Sequence, residues 1–178
     1  MRTLVGYASE HGSTQGIAER LGSVLAEHGL RADVRSIGSV DDPEDYDAYD
    51  AFVLGSAVHD QKWLPAARDL VHGHAAALAD RPVWLFSVGM PGALRWPLSL
   101  FAMAEEPKLL AQFDGVLKPV AHHLFSGVIA PGHLPRTGRL IFRAIGGRYG
   151  DFRDWPEVDA WAVQIAAALT PASGAGQD

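Results

Sequence analysis

The stretch "YASEHGSTQG", residues 7–16, decides the fold. An apolar run, Leu4-Val5-Gly6-Tyr7-Ala8, leads straight into Ser9, Gly12, Ser13 and Thr14. Such a run suits a strand buried on both faces. Behind the turn, Ile17, Leu21, Val24 and Leu25 recur at helical spacing until Gly29 stops the pattern. The turn itself holds no lysine or arginine. A helix N-terminus nevertheless offers unpaired N–H groups and about half a positive charge, enough to hold a phosphate monoester. Ser9, Ser13 and Thr14 add hydroxyls, and Gly12 lets the backbone come close. The plainer alternative is a simple cap, with Ser13 or Thr14 closing the helix and no ligand bound.

Working outward, the chain alternates strands and helices. Residues 31–37 alternate like an outer strand, 51–57 are another buried run, and 82–89 and 118–128 read as a fourth and a fifth strand. Residues 64–79 read as a helix. The last helix is the best marked: Asp154 caps it, Pro156 sits in its first turn and Glu157 completes a capping box. Trp155, Val158, Trp161, Ile165 and Leu169 share one face. This order specifies an α/β fold, a doubly wound parallel sheet with helices on both faces. One domain is expected over 2–169, with 170–178 a small, polar, disordered tail.

Bulk properties narrow the function. The 178 residues contain no cysteine, which excludes disulfides and thiolate chemistry. The first apolar run is too short for a signal sequence, and no stretch has the length of a spanning helix. A cytoplasmic location is expected. A net charge of −6 argues against nucleic-acid binding. The charge is uneven, however. Between residues 115 and 150 stand Lys118, Arg136, Arg139, Arg143 and Arg148 with no acid, whereas six acids crowd into 41–50.

Competing motifs are absent. The turn lacks the G-x-x-x-x-G-K-[ST] of a nucleotide triphosphate site and the G-x-G-x-x-G of a dinucleotide site. A phosphorylation receiver would need acids after the first strand and an Asp ending the third, where Gly55-Ser56 stands. His72 and His74 would point apart on a helix, and His122 and His123 would face opposite sides of a strand. No metal site is expected, and no catalytic side-chain constellation can be assigned.

"SEHGST" (9–14) resembles the [ST]-x-[ST]-G-x-[ST] phosphate loop of flavodoxins, with His11 in place of the middle hydroxyl residue. "YDAFVLGSAVHDQKW" and the stretch from Phe125 to Trp161 resemble the menaquinone-dependent protoporphyrinogen dehydrogenases of the flavodoxin superfamily. The resemblance implies a five-stranded sheet of order 2-1-3-4-5 and FMN as cofactor. It places three loops around the flavin. The first contributes Ser9, His11, Gly12, Ser13 and Thr14. The second contributes Ser56, Ala57, Val58, His59, Asp60 and Trp63, with Trp63 or His59 covering the ring. The third contributes Ser87, Val88, Gly89 and Met90. In flavodoxins a peptide of the second loop flips as the flavin takes up one electron. Here that loop contains no glycine, which implies a stiff loop and electrons moving in pairs.

The implied function is an FMN oxidoreductase. It would oxidise a reduced organic substrate such as a porphyrinogen by two electrons and pass them to a quinone. A diffusible electron carrier and a non-catalytic module that has lost FMN stay open. The basic, apolar segment 134–148 is expected to stand over the flavin side of the sheet. There it would meet anionic lipid at the inner face of the membrane, or the propionates of a porphyrin. The plainer alternative is a solvated loop covering the sheet edge.

Overall fold

The computed structural model describes residues 1–38, 46–95 and 106–170. Residues 41–45 of the acidic run, Trp96 and the tail from 171 onward lie outside these. The chain opens with strand β1 (Arg2–Ala8), helix α1 (Ser13–Glu27), β2 (Arg31–Ser36) and β3 (Ala51–His59). A two-residue return strand, β4 (Lys62–Trp63), precedes α2 (Pro65–Gly73), α3 (Ala75–Ala79) and β5 (Val83–Gly89). Then come α4 (Glu106–Ala111), β6 (Ala121–Ser126), β7 (Val128–Ile129), α5 (Arg136–Ala144), β8 (Gly150–Asp151) and α6 (Trp155–Leu169).

The main sheet runs β2-β1-β3-β5-β6, every pair parallel. Leaving out the short β4, this is the expected order 2-1-3-4-5. Two apolar layers cover it. On one face Ile17, Leu21 and Leu25 of α1 meet Val158, Trp161 and Ile165 of α6 over Val5, Val53 and Phe86. On the other, Ala67, Leu70 and Val71 of α2 and Leu78 of α3 pack over Leu4, Phe52, Leu54 and Leu85. Burial on both faces is why these strands read as apolar runs rather than as alternations. Helix α6 begins as its sequence requires, with Asp154 Oδ1 accepting from the Glu157 amide at 3.2 Å.

Three local expectations are corrected. The helix expected over 64–79 is two helices, broken at His74, whose ring packs 4.1 Å from Tyr46. The fifth strand, expected over 118–128, starts at Ala121 and leaves the sheet at Gly127. Beyond it β7 pairs antiparallel with β8. The last difference is α5 itself, a helix within the basic segment 134–148, to which the sequence assigns no element and for which a solvated loop is the plainer alternative. From β7 to β8 the chain makes a closed excursion, its base clasped by a 3.1 Å bond from the Phe152 amide to the Gly127 carbonyl. Asp151 and Arg153 reinforce that base. The hydrogen bonds from Arg153 hold the Asp151 carboxyl below the usual carboxylate range.

Candidate functional site

The carboxyl ends of β1, β3 and β5 release three loops on the same edge of the sheet, the edge where ligands bind in open α/β folds. They enclose a cleft of about 300 Å³, at the lower end of the range for small-molecule sites. The first wall is the β1–α1 turn. Gly12 takes φ +81°, a left-handed conformation that turns the chain into the helix, and a Cβ there would meet nothing within 4 Å. The amides of Ser13, Thr14 and Gln15 precede the first intrahelical bond, Gly16 N–H to Gly12 O at 3.1 Å, and no side chain caps them. Ser9 Oγ accepts from the Gly12 amide at 3.0 Å, and Ser13 Oγ accepts from the Val128 amide at 3.0 Å. A hydroxyl that accepts keeps its proton to donate. Thr14 differs: its side chain is 1% exposed, and Oγ1 has no partner at all.

The second wall is a β-hairpin. Antiparallel pairs Val58↔Trp63 and His59↔Lys62 leave Asp60 and Gln61 as the two turn residues, at φ 49° and 60°. Two positive φ values in a two-residue loop define a type I′ turn. Ala57, Val58, His59 and Asp60 line the cleft. His59 Nε2 pairs with Glu10 Oε2 at 2.9 Å and so joins the first wall to the second. The third wall is Val88, Gly89 and Met90. A second pocket of about 380 Å³ lies beyond it. Val58, Asp60, Gly89 and Met90 are shared, and Gln61, Pro91, Leu94, Leu109 and Leu124 complete a mainly apolar lining.

Of the residues singled out from the sequence, Ser9, His11, Ser13, Thr14, Ala57, Val58, His59, Asp60, Val88, Gly89 and Met90 line the cleft together. Gly12 shapes the turn without lining it. Trp63, Ser56 and Ser87 are not brought to the cleft. The Trp63 side chain is 2% exposed, edge-on to Phe113 at 4.9 Å, and Nε1 donates to Ser87 Oγ at 2.7 Å. It therefore has no free face for a ligand. Ser87 Oγ also lies 2.9 Å from His122 Nε2, and Ser56 Oγ accepts from the Leu64 amide at 2.9 Å. These three side chains stand behind the walls and hold them. On β6 the neighbouring His123 faces the other way, its Nε2 3.0 Å from Glu157 Oε1. Among the described residues no group of three or more His, Asp or Glu side chains could hold a metal ion.

Sequence reasoning named no residue of the fourth wall as a site residue, although it expected the segment from 134 over this side of the sheet. Gly127, Val128 and Ile129 and then His133, Leu134 and Pro135 close the cleft from the base of the excursion. His133 stacks on His11, ring centroids 4.0 Å apart and 9° from parallel. The signal available was Gly127 itself. A Cβ there would stand 2.8 Å from Ser13 Oγ, so only glycine allows the approach.

The arrangement fits a ligand with an anionic end. It offers uncapped amides, two hydroxyls with protons to give, and a buried third hydroxyl with no protein partner. Apolar walls lead away from that end toward the second pocket. The model of the flavodoxin domain matches residues 4–151. The chain belongs to the flavodoxin domain family. Over 90 residues it is 31% identical to the protoporphyrinogen IX dehydrogenase [quinone] of Escherichia coli strain K12, covering 51% of this chain and 49% of that protein. The match thus spans about half the length of the curated relative. Oxidised flavodoxin 1 of Bacillus cereus superposes with TM-score 0.57 at 13% identity, over 96% of this chain and 100% of its own. A flavoprotein of Lactobacillus acidophilus NCFM, solved in complex with FMN, superposes with TM-score 0.52 at 16% identity, over 69% and 92%. At these identities the two structures establish the fold.

Proposed function

We propose that this flavodoxin-domain protein is an FMN-dependent oxidoreductase. It takes electron pairs from a reduced organic substrate of the porphyrinogen class and gives them to a quinone. The observation that carries the flavin is Thr14 Oγ1, a buried hydroxyl without a partner at an uncapped helix start. Leaving such a group unsatisfied costs about 1–3 kcal/mol, which a phosphate oxygen would recover. Bound FMN would supply the redox chemistry, and the protein its orientation and electrostatics.

The chain's own residues divide the work. The hydroxyls of Ser9, Ser13 and Thr14 and the amides of Ser13, Thr14 and Gln15 hold the phosphate, with Gly12 leaving the approach open. The segments Ala57–Asp60 and Val88–Met90 wall the ring and keep water from it. His11, stacked on His133, closes the outer end. Trp63, Ser56 and Ser87 stiffen the two inner walls from behind. The second pocket, sharing Val58 and Met90 with the first, would take an apolar ring beside the flavin. The similarity to the protoporphyrinogen dehydrogenase over half its length supports an oxidoreductase in general terms, and the porphyrinogen and the quinone are the specific reading proposed for it.

Cofactor extraction from purified protein, identified by mass, tests the flavin; FMN is the expected product. Apoprotein should bind riboflavin far more weakly than FMN, since the phosphate end supplies the polar contacts. With protoporphyrinogen and a menaquinone analogue, porphyrin fluorescence should appear only when both are present. A protein that retains FMN but turns over neither compound is an electron carrier. One that takes up no flavin is neither.

A further inference from the structure

We infer that helix α5 is a surface anchor that seats the protein on an anionic lipid leaflet, with Leu140, Ile141 and Ile145 among the acyl chains. At 100° per residue, Leu140, Ala144, Ile141 and Ile145 fall within an arc of about 140°. Their large side chains are turned outward: Leu140 is 73% exposed, Ile141 63% and Ile145 44%. A free-standing aliphatic stripe of this kind marks an interaction surface. It is also not a fraying end. Phe142, on the opposite side of the helix, is 4% exposed and packs 5.2 Å from Tyr149. The turn behind it is locked, since the Gly147 amide donates to the Phe142 carbonyl at 2.8 Å and the Arg148 amide to Ala93 O at 2.9 Å. The body of the protein therefore holds the stripe outward.

Charge selects the occupant. Arg136, Arg139 and Arg143 occupy the helix flank next to Leu140, and all three are exposed. No acidic residue stands between 115 and 150, although the whole chain carries −6. An anionic surface thus repels the molecule as a whole and attracts this face. A second copy docking through the same stripe would set arginines against arginines. Aliphatic residues flanked by arginines on a short helix are the pattern of an interfacial helix. No helix among the described residues is long and apolar enough to cross a membrane, so the contact lies at its surface.

The helix follows directly on His133, Leu134 and Pro135, which line the cleft. Docking would therefore bring the cleft mouth to the lipid surface, within reach of a quinone dissolved there. That consequence rests on the proposed oxidoreductase activity, whereas the docking itself does not.

Co-sedimentation of the full chain with vesicles tests the docking without any activity assay. Vesicles of phosphatidylcholine with about one third phosphatidylglycerol should bind the protein, and pure phosphatidylcholine should bind it at least tenfold less. Each arginine contributes about fivefold near an anionic surface, so Arg136→Gln with Arg143→Gln should weaken binding about 25-fold, and high salt should do likewise. Leu140→Asp with Ile141→Asp should abolish it while leaving the thermal midpoint unchanged, since both positions are exposed. Inorganic phosphate at millimolar level should not compete. Equal binding to neutral vesicles, no binding to either, or full binding by the Asp variant would overturn the inference. Dimerisation or capture of an acidic protein through α5, without vesicle binding, would overturn it too.

Discussion

Ser13 Oγ accepts a 3.0 Å hydrogen bond from the Val128 amide, tying the first β-α turn to a point 115 residues further along the chain. The bond exists because the chain leaves β6 at Gly127, where a Cβ would come within 2.8 Å of that hydroxyl. Gly127→Ala should therefore push Ser13 out of place. The expected result is a fall in FMN affinity of about tenfold, the value of one lost hydrogen bond of about 1.4 kcal/mol. Fluorescence titration of apoprotein with FMN measures it, and unchanged affinity would mean that Ser13 does not face the phosphate.

Thr14→Val separates ligand binding from folding. The replacement keeps the shape and removes the hydroxyl that has no partner. Apoprotein should gain about 1 kcal/mol or more in denaturant unfolding, because an unsatisfied buried group is gone. Affinity for FMN should fall about tenfold in the same variant, and Thr14→Ser should restore most of it. A variant that loses stability without losing affinity would place the phosphate elsewhere.

The hairpin bears on how electrons arrive. Flipping the Asp60–Gln61 peptide would carry residue 60 from a type I′ to a type II′ geometry, a region essentially reserved for glycine. For Asp60 the cost is about 1–3 kcal/mol, a factor of ten or more in population. Anaerobic dithionite titration of the FMN-loaded protein should therefore take two electrons in one step. Asp60→Gly should split the titration into two steps. Two well-separated steps in the unaltered protein would favour the electron carrier.

A further prediction concerns pH. Arg20 clasps Asp159 with two bonds, Nε to Oδ1 at 2.6 Å and an Nη to Oδ2 at 2.7 Å, joining α1 to α6. The hydrogen bonds and charge of Arg20 hold the Asp159 carboxyl below its usual value of about 3.9. A depressed carboxyl contributes stability above that value and loses it as pH falls through the folded-state pKa. Asp159→Asn should thus lower Tm at pH 7, by less at pH 4, and by progressively less as the pH falls further. The pair is exposed, so the gap should be small and should shrink in high salt. A gap that stays constant over pH would show a packing effect instead.

The sequence by itself determined the layout, because the governing signals are local. Buried runs gave the main strands, apolar spacing gave α1, and Asp154 with Glu157 marked the start of α6. Gly12 and the hydroxyls around it marked the turn that can hold an anion. Which side chains reach the cleft was decided only by the tertiary structure. Strands β3 and β5 are covered on both faces, so no alternation in their sequence says which way Ser56 and Ser87 point. Trp63 could have faced the cleft until β4 folded back on β3 and turned it toward Phe113. The wall from Gly127 to Pro135 is more than 110 residues from the turn that it closes, and only the parallel order of the sheet brings the two together. The same holds for α5. No helix is assigned to its residues from the sequence, and their exposure follows from Phe142 being the side chain that the rest of the fold accepts.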